Sequence, residues 1–134
     1  MILVGRIIRL GLLAFSVMVL SGIIPISLTH IHSGNACPKF GPIPVCYVVT
    51  MGYGAMGVAA ALWNWPLNWL FIAGAIPVVL LALSGTLLEL AGNPVCPRSD
   101  TGWPLCYTSL LAGLSMALAF FFALRIEKSK RADF

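Results

Sequence analysis

Charge is what this sequence has least of. Charged residues make up 9% of its 134 positions, and Asp and Glu together number four. A soluble domain carries about 25% charged residues. The shortage excludes a water-solvated globule, because too few polar side chains are present to build its surface, whereas lipid tolerates an apolar exterior. The sequence also lacks a Ser-His-Asp set, paired carboxylates, a P-loop and a metalloprotease motif, which leaves those chemistries without their residues. The net charge of +4 is not a nucleic-acid signal. Six of its eight basic residues sit at the two ends of the chain, not in one stripe.

What is abundant is apolar sequence, at 60% of the chain. It falls into four runs: Leu10 to Leu28, Val45 to Trp63, Trp69 to Leu88, and Leu105 to Leu124. Each is about 19 to 20 residues, the length that crosses a hydrocarbon core of roughly 30 Å at 1.5 Å per residue. None contains a charged side chain. The first run, preceded by Arg6 and Arg9, has the alternative reading of a secretory signal peptide. No clear small-x-small cleavage site follows it, and the repeat described below requires it as a helix.

Basic residues mark the cytoplasmic side of a membrane protein. Arg6, Arg9, Arg125, Lys128, Lys130 and Arg131 flank the outer ends of the first and fourth runs, against Lys39 and Arg98 in the loops after runs one and three. This predicts a multi-pass protein of the cell (inner) membrane with cytoplasmic N- and C-termini. The turn from Asn64 to Asn68 is then inside, with Trp63, Trp65 and Trp69 in the headgroup layer. Tyr47, Trp103 and Tyr107 form the matching outer belt.

Two segments read alike. Gly34-Asn35-Ala36-Cys37-Pro38, then Gly41, then Pro44-Val45-Cys46-Tyr47, is matched by Gly92-Asn93-Pro94-Val95-Cys96-Pro97, then Gly102, then Pro104-Leu105-Cys106-Tyr107. The copies lie about 60 residues apart, one helical hairpin of sequence. The expected fold is therefore an all-α integral membrane protein: one domain over 1–134, a four-transmembrane-helix bundle built from two repeated helical hairpins, about 7–63 and 69–125. The prolines prevent helix through the loops, and Gly41 and Gly102 permit tight turns. The loops should form compact caps on the outer surface.

The cysteines allow three readings. In short stiff loops on an oxidising face, Cys37 pairs with Cys46 and Cys96 with Cys106 as structural disulfides, each restricting the unfolded loop by roughly 2.5–3 kcal/mol. Alternatively the same four residues are catalytic, passing electrons by thiol–disulfide exchange from an outside thiol protein to a lipid-soluble acceptor. Cys46 and Cys106 begin helices, where the positive end of the dipole attracts a thiolate. The third reading is soft-metal handling, copper or mercury, with His30, His32, Met51 and Met56 near the first loop. The cysteine spacing is wide for a zinc knuckle, and His30 and His32 also read as interfacial residues. An accessory or assembly subunit of a larger membrane complex needs no chemistry at all.

With its cysteine pairs between spans one and two and at the entry to span four, the layout resembles the membrane thiol oxidoreductases of the vitamin K epoxide reductase and DsbB type. Those are similar in having four bundled helices and paired outward cysteines. The resemblance implies a quinone as cofactor at the outer end of the bundle, near Cys46 or Cys106. It covers layout only, since the C-x-x-C of those enzymes is absent here. Tyr47 and Tyr107, beside the helix-start cysteines, are the candidate quinone-binding residues, because an aromatic there can stack on a flat ring or bond it through a phenol.

Gly52-Tyr53-Gly54-Ala55-Met56-Gly57 matches G-x-G-x-x-G, but it lies inside an apolar run with no preceding strand. Helix packing through small residues is its expected role, as for Ala55/Ala59 and Gly113/Ala117. Pro25 and Pro77 are expected to kink spans one and three. Glu89, at the outer end of span three, reads as a solvated interfacial acid or as a proton carrier beside the second cysteine pair. Membrane lipids are partners of the whole exterior, and of the run from Arg125 to Arg131 in particular.

Overall fold

The computed structural model describes residues 2–34, 37, 39–62 and 68–133. They form four helices, α1 (Ile2–Ser33), α2 (Val45–Leu62), α3 (Asn68–Leu90) and α4 (Leu105–Ala132). A two-residue hairpin, β1 (Lys39–Phe40) with β2 (Ile43–Pro44), precedes α2. All four helices are long and apolar enough to cross a bilayer, which fits a multi-pass membrane protein. The turn of residues 63–67, with Trp63 and Trp65, lies outside the described residues.

The helices coincide with the four apolar runs but overshoot two of them. α1 extends back through Arg9 and Arg6 and on to Ser33. α4 continues past Leu124 to Ala132, because Arg, Glu, Lys and Ala are strong helix formers. An i,i+4 pair between Glu127 and Arg131 (3.4 Å) supports that end. Pro25 and Pro77 lie inside α1 and α3, which run on through them.

Each helix packs on the next in sequence, and α4 closes the ring against α1. One end of the bundle holds the start of α1 and the end of α2. There Arg9 Nε donates to the Ala60 carbonyl at 2.9 Å, and its Nη2 donates to the Ala61 carbonyl. These carbonyls belong to the last turn of α2, which has no intrahelical donors and carries the negative end of the dipole, so the guanidinium satisfies both. The opposite end holds the two cysteine loops.

The helices approach where side chains are smallest. A Cβ at Gly74 of α3 would stand 2.6 Å from the Gly52 carbonyl oxygen, and one at Gly57 would stand 3.2 Å from Ser16 Cβ of α1. The glycine motif of α2 is thus a packing surface, as its setting predicts. Gly54, by contrast, faces open space. Between these contacts lie Tyr53, Met56, Phe71, Val78, Met116 and Phe120, all buried. The rings of Phe71 and Phe120 stack with centroids 3.8 Å apart, tying α3 to α4. The exterior is apolar: Leu10, Met18, Trp69 and Phe122 are among many large hydrophobic side chains exposed.

A candidate redox site under two disulfide loops

Both loops are built from the residues that the sequence repeats. Gly34, Gly41, Gly92 and Gly102 all have positive φ, between 68° and 92°, a region that only glycine enters without steric cost. At the end of α3 the Asn93 N–H donates to the Leu88 carbonyl and the Gly92 N–H to the Glu89 carbonyl, each at 3.1 Å. This is a Schellman termination, with glycine at its left-handed position. Further on, Lys39 pairs with Pro44 in the first loop, and Arg98 pairs with Pro104 in the second. Pro104 offers α4 no side-chain cap. The first helical amide, of Leu105, donates instead to the Pro97 carbonyl at 3.1 Å.

This folding brings the cysteines together as two disulfides, Cys37–Cys46 and Cys96–Cys106, with Cα–Cα distances of 6.0 and 5.9 Å. The two members of each pair differ in setting. Cys37 and Cys96, in the loops, are 6% and 7% exposed. Cys46 and Cys106, at the helix starts, are half-buried. The second disulfide lies directly on α3: a Cβ at Gly85 would stand 2.9 Å from Cys106 Sγ and 3.3 Å from Cys96 Sγ.

Beneath the loops is an apolar cavity of about 400 Å³. Its walls come from all four helices: Phe15, Met18, Val19 and Ile23 of α1, Cys46 and Val49 of α2, Leu81 and Ala82 of α3, and Cys106, Ser109 and Ala112 of α4. Cys46 and Cys106 therefore share one chamber, although 60 positions separate them in the chain. Its exposed lining residues, Phe15, Met18 and Gly22 on one side and Thr108 on the other, place the mouth between α1 and α4. That is the least extensive of the neighbouring helix interfaces.

Tyr47 and Tyr107 are not among the residues that line the cavity. Tyr107 packs edge-on to Trp103, centroids 6.3 Å apart, and both tyrosines are half-buried. No motif marks the half-buried hydroxyl of the chamber, Ser109, although its position three residues after Cys106 is the available cue.

Glu89 is not a solvated interfacial acid. Its side chain is 10% exposed and pairs with Arg98 at 3.1 Å, while Oε2 is buried without a hydrogen-bond partner among the described residues. It lies one turn beyond Gly85 on α3, under the loop that carries Cys96. The residues considered for soft metal do not converge. Met51 is 76% exposed, Met56 is in the core, His32 is exposed, and the His30 side chain lies outside those described. Among the described residues no cluster of three or more His, Cys, Asp or Glu side chains stands ready for a metal ion. No known protein family, curated protein or solved structure matches this chain.

Proposed function

We propose that this is an inner-membrane protein with cytoplasmic termini, a duplicated helical hairpin, and a thiol–disulfide activity at the outer face coupled to a quinone-like molecule in the cavity. The single observation that carries this reading is the convergence of Cys46 and Cys106 on one apolar chamber that opens between helices. A membrane-dissolved ring reaches such a chamber from the side, without crossing water. In the proposed reaction an outside dithiol exchanges with one of the disulfides and becomes a disulfide itself, leaving a cysteine pair reduced. That pair passes its two electrons and two protons to the quinone. Hydroquinone leaves and the disulfide re-forms.

The duplication fits this scheme. Both loops carry a disulfide, left-handed glycines and a strand-like pairing ahead of the following helix. Basic residues gathered at the ends of α1 and α4 support the orientation.

A second reading has its own observation. Cys37 and Cys96 are buried, which shields them from an outside thiol and suits structural staples in an accessory subunit of a membrane complex. Replacing Cys46 and Cys106 by Ser, one at a time, separates the two. Under the redox reading either variant inserts and folds yet loses quinone-dependent oxidation of a dithiol. If purified wild-type protein neither oxidises a dithiol nor binds a quinone, the structural reading stands.

A further inference from the structure

Polar groups are unevenly placed around the cavity. The α1 wall is apolar, and among the lining residues hydroxyls come only from α4, at Thr108 and Ser109. Thr108 is exposed at the mouth, whereas Ser109 is half-buried. Ser109 follows Cys106 by one helical turn, on the same face. Behind it stands Tyr53 of α2, fully buried. The Tyr53 hydroxyl donates to the Ser109 carbonyl at 3.0 Å and lies 3.3 Å from Ser109 Oγ. A phenol has one proton. With that proton directed at the carbonyl, the Tyr53 oxygen can only accept from the Ser109 hydroxyl, at a long 3.3 Å, and the serine proton rotates away from this weak contact to donate to a ligand.

On the reading of the cavity as a quinone site, we propose that Ser109 determines which ring is accepted, with Tyr53 as its positioning residue. With Thr108 out at the mouth, a single inner donor orients a flat ligand by one edge, because only that edge finds a partner for its oxygen inside the chamber. The ligand class is an apolar ring bearing a carbonyl oxygen. Ser109 donates to that oxygen in the quinone and accepts from it in the hydroquinone, since a hydroxyl does both. The ring is thereby held one turn from the Cys106 sulfur in either state.

The test compares menadione with methylnaphthalene, a hydrocarbon of similar shape, by equilibrium dialysis against purified full-length protein in lipid nanodiscs. Ser109→Ala should lower the menadione-to-methylnaphthalene affinity ratio roughly tenfold, the size of one well-placed hydrogen bond. Methylnaphthalene binding itself should not change. Ser109→Thr should keep most of the ratio, and Tyr53→Phe should lose part of it while the protein stays folded by thermal melting. An unchanged ratio in Ser109→Ala overturns the assignment of Ser109 and leaves the cavity reading intact. If wild type binds neither probe, the cavity reading fails and this inference fails with it.

Discussion

Gly85 of α3 lies directly against Cys106 of α4, so close that a Cβ there would stand 2.9 Å from the cysteine sulfur. The second disulfide is therefore seated on helix backbone as well as bonded within its loop. Only glycine leaves room for it. The same contact fixes where Cys106 enters the cavity, because α3 stops the sulfur from moving away from the chamber.

Gly85→Ala should destabilise the protein by about 1–2 kcal/mol, overpacking against a rigid bridge outweighing the gain in helix propensity. Thermal unfolding in detergent measures it. In a Cys96→Ser/Cys106→Ser background the penalty should largely vanish, since the bridge that blocks the methyl is gone. Equal penalties in both backgrounds would show that some other contact is responsible.

The pairing is local. Peptide mapping without reductant should recover Cys37 joined to Cys46 and Cys96 joined to Cys106, across separations of 9 and 10 residues. Removing either bridge should cost about 2.6 kcal/mol on the chain-entropy model. A Cys46–Cys106 peptide in mildly reduced membranes would instead indicate electron passage between the two loops.

The ion pair on the second loop should respond asymmetrically. Arg98→Ala leaves the Glu89 carboxylate nine-tenths buried and without its partner, at a cost of about 1–3 kcal/mol. Glu89→Gln keeps an oxygen that accepts from the exposed Arg98, and it removes both a buried charge and a negative charge from the negative end of the α3 dipole. Its cost should be under about 1 kcal/mol. Parallel melts of the two variants decide. Equal losses would mean that Glu89 does not depend on Arg98.

Orientation is tested at the tail. A single cysteine introduced at Lys130, in a background without the native cysteines, should resist a membrane-impermeant maleimide in intact cells and react once the membrane is opened. Labelling in intact cells would place the tail outside and reverse the proposed orientation.

Much of this protein is readable along the chain. The four helices follow from apolar runs without charge, each long enough to cross a bilayer. The loop geometry follows from glycines and prolines at repeated positions, whose backbone preferences are local. The overshoot of α1 and α4 is less visible, because hydropathy marks where an apolar stretch ends and not where helix stops. Glu89 misled for a different reason: its partner Arg98 is nine residues on, and only the Schellman turn at Gly92 and the loop behind it bring the two together.

The sequence by itself determined the elements and the disulfide partners, because both depend on interactions between residues near one another in the chain. Only the tertiary structure decided what those elements enclose. That Cys46 and Cys106 share a chamber, that the tyrosines beside them do not line it, and that Ser109 backed by Tyr53 supplies its inner hydroxyl all depend on helix rotation. Rotation is fixed where Gly52 meets Gly74 and Gly57 meets Ser16, contacts between distant segments that no periodicity within one helix specifies. The apolar faces of these helices have nearly the same composition all round, and it is the few sites of close backbone approach that select which side turns inward.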